Sequence, residues 1–257
     1  MTLAPEVLPL IAKAVETGRP IVLLLGQGAF EVGSHPDPVL SAALRRLGLE
    51  DPEVQRKGYP ALLSTPLPAD FYSWLAELSE RQVMPPWLEC IANLPWNAVF
   101  TTSVESSLVA AFRTLGRDVE VVLAKNDDPA APRSRRKLHI THLFGRAGET
   151  GDAESPPKSR SELLRRTSLH ATSLLARLVE TTTPLGLLII DGYSPVKDWL
   201  RADALAGVLS AFGSGQVLWF GWSDSDRGSG ADLESIRDLA VPGGPVKLFS
   251  ERLHKAV

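Results

Sequence analysis

Residues 97–105 read Asn-Ala-Val-Phe-Thr-Thr-Ser-Val-Glu, and this stretch decides the fold. A short apolar run of β-type residues ends in Thr101 and Thr102, and the polar residues Ser103 and Glu105 then precede a helical pattern. Open α/β sheets bind their ligands at the carboxyl ends of the strands, which is where these side chains fall. The stretch therefore predicts an α/β fold with a ligand site at that end of the sheet.

Further strand and helix patterns continue on both sides of this stretch. Continuous apolar runs at 21–25 and 185–191 are typical of strands buried on both faces of a sheet. More strands are predicted at 119–123, 138–144, 217–220 and 246–249, and helices at 3–18, 38–47, 71–81, 85–93, 160–181 and 231–240. Because strands alternate with helices, we expect one α/β domain over residues 1–257. Its sheet is Rossmann-like and mostly parallel, with helices on both faces and a small helical insert at about 36–95.

Three details of the connections are also predicted. Asp70 can cap the helix at 71–81 through its carboxylate. Residues 49–66 are expected to be irregular because they contain three prolines and a glycine. Ser103 and Glu105 are placed at the start of the next helix, where the helix dipole favours a carboxylate.

The composition narrows the classes of function. With 44% hydrophobic and 22% charged residues, the chain is typical of an ordinary globular protein. A net charge of −3 provides no general attraction for nucleic acid, so a nucleic-acid partner is not expected. The basic cluster Arg133, Arg135, Arg136 and Lys137 is interpreted as a solvated loop, with a phosphate-binding patch as the alternative.

The single cysteine, Cys90, excludes an internal disulfide and a four-cysteine zinc site, and no metal is expected. Its apolar neighbours favour a packed position in the core.

Glu6 and Lys13 interrupt the apolar face of the first helix, so this segment does not resemble a signal peptide. The longest apolar runs are too short to cross a bilayer. We therefore expect a cytoplasmic protein without membrane contact.

Polar or flexible residues suited to a nucleotide follow three of the predicted strands. Gly26-Gln27-Gly28 can bring backbone N–H groups close to a diphosphate, but the third glycine of the dinucleotide fingerprint is replaced by Glu31, so a plain turn is the alternative. Gly192-Tyr193-Ser194 can border a ribose or form a turn with a helix cap. Thr102 and Ser103 offer hydroxyl groups to a ribose or phosphate, or cap a helix.

Two histidines lie near the end of one predicted strand. His139 and His142 are three residues apart, which places them on opposite faces and excludes a shared metal site. Each can face the pocket or be satisfied in the core. Because the three strand ends meet at one edge of a parallel sheet, we expect Gly28, Ser103 and Ser194 to border a common cavity.

These motifs, in this order, resemble those of the sirtuin-like (silent information regulator) domain in its bacterial form. The family has a Gly-Ala-Gly-x-Ser turn, where this chain has Gly26-Gln27-Gly28-Ala29-Phe30. A strand ending Thr-Thr-Asn-x-Asp is matched by Thr101-Thr102-Ser103-Val104-Glu105. A Lys/His-Leu-His-Gly strand end corresponds to His142-Leu143-Phe144-Gly145. A Gly-Tyr-Ser-x-x-Asp turn corresponds to residues 188–198, in which three residues separate Ser194 from Asp198.

The resemblance implies a domain that binds NAD and hydrolyses it to nicotinamide and ADP-ribose, as an effector in bacterial anti-phage defence. It implies catalytic roles for Ser103, Glu105 and His142. It also implies that NAD or an ADP-ribose-type nucleotide is held by Gly26, Gln27, Gly28, Thr102, Gly192 and Ser194. Such modules usually act as an oligomer or beside a sensor domain or protein, and no metal is implied.

The chain differs from the family at three positions that hold the family's functional residues. Ser103 stands where the family has an Asn that positions the nicotinamide ribose and a water, and Glu105 stands for an Asp. Phe144 stands where the family has the His that acts as base, so His142 or His139 would supply that function. The alternative is a catalytically degenerate sirtuin-like domain that serves as a nucleotide-binding, structural or interaction module in a defence assembly.

Overall fold

The computed structural model describes residues 7–31, 37–82, 86–123, 137–152, 154–222 and 231–256. Its centre is a seven-stranded sheet in which every strand pair is parallel. The strands are β1 (Ile21–Leu25), β2 (Ala98–Thr101), β3 (Asp118–Val122), β4 (Lys137–His142), β5 (Leu187–Asp191), β6 (Val217–Phe220) and β7 (Val246–Phe249). Their order across the sheet is β3-β4-β2-β1-β5-β6-β7, which confirms the predicted Rossmann-like α/β fold.

Helices cover both faces of the sheet. The first face carries α1 (Val7–Glu16), α6 (Pro86–Ala92), α7 (Ser107–Thr114) and a last turn, α12 (Leu253–Ala256). The second face carries the helices of the chain between β1 and α6, which are α2 (Pro38–Arg46), α3 (Pro52–Gln55), α4 (Tyr59–Leu62) and α5 (Phe71–Arg81). It also carries α8 (Arg160–Arg166), α9 (Thr172–Thr182), α10 (Ala202–Leu209) and α11 (Ala231–Leu239). Along β1, Leu23 packs on the first face and Leu24 on the second, which explains its uninterrupted apolar sequence.

The order of the strands locates the crevice in which such sheets bind ligands. From β1 the chain first builds the sheet through β2 towards one edge and then returns to β5 and the other edge. A change of direction of this kind leaves a gap between the connections at the carboxyl ends of the central strands. The loops after β1, β2 and β5 meet at this point.

The insert between β1 and β2 holds helices α2 to α6, and two of its predicted details are wrong. The segment 49–66 is not wholly irregular, because α3 and α4 form there with Pro52 and Pro60 in their first turns, where a proline is tolerated. Asp70 does not cap α5, because its carboxylate pairs with Arg46 at 2.7 Å instead.

Three further predictions differ from the structure. Helix α7 begins at Ser107, so Glu105 lies in the preceding turn, where its backbone N–H donates to the Ser103 hydroxyl at 3.1 Å. The helix predicted at 160–181 is interrupted by a π-helical turn at Thr167–Ala171. Cys90 is exposed, because the buried face of α6 is formed by its neighbours Leu88, Ile91 and Ala92.

The basic cluster is only partly covered by the structure. Arg133, Arg135 and Arg136 lie outside the described residues. Lys137 begins β4, where its amine pairs with Glu120 at 2.9 Å, so it is part of the sheet rather than of a loop. Within the described ranges, no helix is long and apolar enough to cross a membrane.

A buried ion pair fastens the turn before α12 to the centre of the sheet. Asp191, at the end of β5, is fully buried, and both of its carboxylate oxygens accept hydrogen bonds from the Arg252 guanidinium, at 2.8 and 3.1 Å. The same guanidinium donates to the backbone carbonyl of Gly28 at 2.7 Å. Arg252 therefore links β5, the turn after β1 and the end of the described chain.

Replacing Arg252 by Met should destabilise the fold strongly. The substitution leaves the Asp191 carboxylate buried without its cation, and the loss of one partner from a buried pair costs about 3–5 kcal/mol in the free energy of unfolding. Urea unfolding measures this change. The control is Arg81→Met, which removes an exposed pair with Glu77 and should change the free energy of unfolding by less than about 1 kcal/mol. Equal effects of the two substitutions would contradict the central role of Arg252.

Candidate active site

A single carboxylate joins the loops that follow β1, β2 and β5. Asp198 is 3% exposed, and one of its oxygens accepts the backbone N–H of Gln27 at 2.9 Å. The same oxygen accepts the Thr102 hydroxyl, and the other accepts the backbone N–H of Ser194 at 2.8 Å. Burial raises the pKa of Asp198 to about 6. Three residues expected to bind NAD thus meet at a side chain to which the sequence analysis assigned no role.

The glycines of the strand-end turns pack against one another. A Cβ atom on Gly26 would lie 2.2 Å from the Tyr193 Cα, and one on Gly28 would lie 2.7 Å from the Gly192 carbonyl oxygen. Gly192 has a φ of +69°, and a Cβ there would lie 2.1 Å from the backbone nitrogen of Ala29. These glycines are required for the loops to approach each other closely. Contact of Gly26, Gly28 and Gly192 with a nucleotide stays a prediction.

Two buried carboxyl groups, those of Asp37 and Glu105, are hydrogen-bonded to each other. Asp37 caps α2, where its carboxylate accepts the backbone N–H of Val39 at 2.8 Å and that of Leu40 at 3.4 Å. Burial raises the pKa of Glu105 well above its usual range, and the negative charge of Asp37 raises it further. A hydrogen bond between two carboxyl groups requires that one of them carries a proton. Because the N–H groups of α2 favour the ionised form of Asp37, we assign this shared proton to Glu105.

Hydroxyl groups surround the Glu105 carboxyl. Tyr59 donates to its Oε1 at 3.0 Å, and Ser107 donates to its Oε2 at 3.2 Å. The Tyr59 and Ser103 hydroxyl oxygens are 2.9 Å apart. Ser103 and Glu105, two of the three predicted catalytic residues, therefore belong to one hydrogen-bonded group.

The third predicted catalytic residue, His142, adjoins the same group. Its Nδ1 lies 2.8 Å from the carbonyl oxygen of Ser103, so Nδ1 carries the proton and Nε2 carries a lone pair. Burial lowers the pKa of His142 to about 4, which keeps the ring neutral at physiological pH. Phe144, at the position of the family's histidine, is fully buried and packs edge-on against Trp199.

Several buried polar atoms near these strand ends have no hydrogen-bond partner in the described part of the chain. They are Gln27 Oε1, His142 Nε2 and the Ser194 hydroxyl. Buried polar groups are nearly always satisfied, so atoms of this kind are suited to meet polar groups of a ligand. All three residues lie at or just after the carboxyl ends of β1, β4 and β5.

A cavity of about 390 Å³ opens beside the acid pair. Its polar lining includes Asp37, Glu105 and Ser107, and its apolar lining comprises Phe30, Pro38, Val39, Pro86, Leu88, Ala110 and Ala111. Volumes of about 300–1,000 Å³ with few polar groups are typical of small-molecule sites. Gly28, Ser103 and Ser194 are not among its lining residues. Their sharing of one cavity stays a prediction, although they lie at adjoining strand ends.

Sequence reasoning missed the roles of Asp37, Tyr59 and Asp198. A signal existed for Asp37, because an Asp-Pro pair directly before a helix is typical of an N-cap. Asp198 belongs to a motif that the sequence analysis identified. Tyr59 had no local signal, since it lies in a proline-containing segment that was expected to be irregular.

Replacing Asp198 by Ala should destabilise the strand ends. The substitution leaves buried N–H donors without an acceptor, which lowers the free energy of unfolding at pH 7 by about 1–3 kcal/mol. Asp198 has a folded pKa of about 6 against a usual 3.8, so protonation adds a further contribution to stability, which is fully present below pH 4 and is lost as the pH rises through 6, where only the hydrogen bonds remain. The gap between parent and variant should therefore widen as the pH falls from 7 to 4, measured by urea unfolding.

The matched control is Asp203→Ala. Asp203 is exposed, and the Arg201 guanidinium lowers its pKa, so the small gap for this variant should shrink as the pH falls. If the difference in unfolding free energy between the parent and Asp198→Ala also shrank on acidification, the raised pKa of Asp198 would be contradicted.

No protein-family model and no curated protein matches the chain. The candidate site is therefore defined by its own residues, which are the acid pair, the hydroxyl groups around it and the neutral imidazole of His142.

Proposed function

We propose that this chain is a sirtuin-like domain that binds NAD and hydrolyses it to nicotinamide and ADP-ribose, acting in the cytoplasm as an effector of bacterial anti-phage defence. The observation that carries the proposal is the buried Asp37–Glu105 pair on the wall of a ligand-sized cavity at the carboxyl end of a parallel sheet. A sensor domain, a partner protein or further copies of the chain would complete the defence system.

The chemistry of NAD cleavage suits an acid pair. When the bond between nicotinamide and C1′ of the ribose breaks, nicotinamide leaves with the bonding electrons and positive charge develops on the sugar, as it does in glycoside hydrolysis. A carboxylate held in a site of low polarity stabilises this charge more strongly than water does. Asp37 and Glu105 together provide one negative charge beside the cavity.

The remaining residues suit the attack of water on C1′. The neutral His142 ring does not line the cavity, and its Nε2 carries a buried lone pair without a partner among the described residues. In the proposed mechanism the bound ribose reaches this atom, which accepts a proton from the attacking water and later releases it to solvent. A pKa of about 4 makes this ring a weak base, but nicotinamide is a good leaving group and demands little assistance. Ser103, whose carbonyl orients the imidazole, would position the water in place of the family's asparagine.

A second candidate function is a degenerate domain that binds a nucleotide without cleaving it or only packs in an assembly. The specific observation in its favour is the Asp198 carboxylate, which already occupies the backbone N–H groups of Gln27 and Ser194. A negative side chain at this point opposes the approach of a diphosphate. The buried Phe144 at the position of the family's base supports the same reading.

Replacing both members of the pair, Asp37→Asn together with Glu105→Gln, tests the catalytic proposal. The amides retain the size of both side chains, an acceptor for the N–H groups of α2 and an acceptor for Tyr59, but they remove the one negative charge of the pair, so we expect nicotinamide release to fall by at least about 100-fold. Chromatography of free nicotinamide measures turnover, and calorimetry measures NAD affinity, which should change by less than about threefold. Glu77→Gln, on the exposed face of α5, is the control and should retain full activity.

The parent protein distinguishes the two candidates. Release of nicotinamide that depends on the acid pair supports hydrolysis. Binding of NAD without release would establish the degenerate module, and absence of both binding and release would contradict any nucleotide function.

A further inference from the structure

The hydroxyl groups of Tyr59 and Ser103 close a ring of hydrogen bonds on Glu105. Glu105 donates its backbone N–H to the Ser103 oxygen at 3.1 Å. Tyr59 has one proton and donates it to Glu105 Oε1 at 3.0 Å, so in the 2.9 Å contact between the two hydroxyls Ser103 is the donor. The ring therefore runs in one direction, from the Glu105 backbone through two hydroxyls to its own carboxyl group.

Contacts outside this ring of hydrogen bonds also hold Tyr59 in place. Its backbone N–H donates to the carbonyl of Lys197 at 3.0 Å, and its aromatic ring packs on Trp199 with centroids 5.2 Å apart. The preceding Gly58 has a φ of +61°, and a Cβ there would lie 2.5 Å from the Lys197 carbonyl oxygen. Tyr59 itself is 1% exposed. The close approach of the two backbones thus brings a side chain of the insert to the strand ends.

We propose that Tyr59 is a positioning residue of the candidate site: its hydroxyl holds the Glu105 carboxyl against Asp37 and determines how firmly Glu105 retains the proton that the pair shares. The proposal concerns the protein without ligand, and only its consequence for turnover rests on the proposed function.

The groups that face Glu105 determine whether loss of the Tyr59 hydroxyl raises or lowers the pKa of Glu105. Asp37 faces it from the start of α2, Tyr59 from α4 and Ser107 from the start of α7, and Glu80 of α5 lines the same cavity. Among them only the two hydroxyls donate to its oxygens, and donation favours the ionised carboxylate. Loss of the Tyr59 hydroxyl therefore raises the pKa of Glu105 further and fixes the proton more firmly on it.

The test compares Tyr59→Phe with Tyr72→Phe. Both substitutions delete one buried hydroxyl in the same insert, but the Tyr72 hydroxyl donates to the backbone carbonyl of Pro157 and not to the acid pair. Infrared spectra of the full chain, recorded without NAD over pH 4 to 9, follow the protonated carboxyl band, and Glu105→Gln identifies the contribution of Glu105. We expect this band to titrate about one pH unit higher in Tyr59→Phe and to be unchanged in Tyr72→Phe.

A second variant covers the case in which Tyr59→Phe does not fold. Ser103→Ala opens the ring at its other hydroxyl and should shift the band in the same direction. Identical titration of Glu105 in the parent and in the folded variants would overturn the proposal, and so would an equal shift in Tyr72→Phe.

The pH profile of nicotinamide release separates this proposal from the proposed function. The part of this pH profile that reports the titration of the acid pair should move to higher pH in Tyr59→Phe by the same amount as the infrared band. If the band shifts and the parent releases no nicotinamide, Tyr59 retains its positioning role and NAD hydrolysis is rejected. If the parent releases nicotinamide and the band does not shift, the reverse conclusion holds.

Discussion

The contact on which the strand-end region most depends is that of the Asp198 carboxylate with three donors from three loops. Its two oxygens satisfy backbone N–H groups of Gln27 and Ser194 and the hydroxyl of Thr102. These loops follow β1, β5 and β2, which meet where the sheet changes its direction of growth. Because a buried N–H without an acceptor is costly, the position of Asp198 constrains all three loops at once.

The sheet was predictable from the sequence because its strands are buried on both faces. An apolar run such as 21–25 can only be satisfied between two layers of helices, and the structure places it there with the predicted ends. The strands at 217–220 and 246–249 were located equally well. The prediction was wrong at 49–66, where tertiary packing supports two short helices that local propensity does not indicate.

The candidate site was predictable only in the part that lies on the strands. Ser103, Glu105 and His142 follow or end strands that are neighbours in a parallel sheet, so the topology alone brings them together. Tyr59 and Asp37 belong to the insert, whose packing over the sheet no local pattern specifies. The contact between Tyr59 and Glu105 spans 46 residues of sequence, and only the folded insert reveals it.

The close contact between the backbones at Gly58 and Lys197 has a consequence for the surface of the molecule. The carbonyl of Lys197 accepts the backbone N–H of Tyr59, while the Lys197 ammonium group forms a partly buried pair with Glu31 at 2.6 Å. Asp198, the next residue, anchors the same segment from inside. One residue, Lys197, therefore connects a partly exposed ion pair with Glu31 to the backbone that positions Tyr59, so the acid pair lies only a few bonded contacts from the molecular surface.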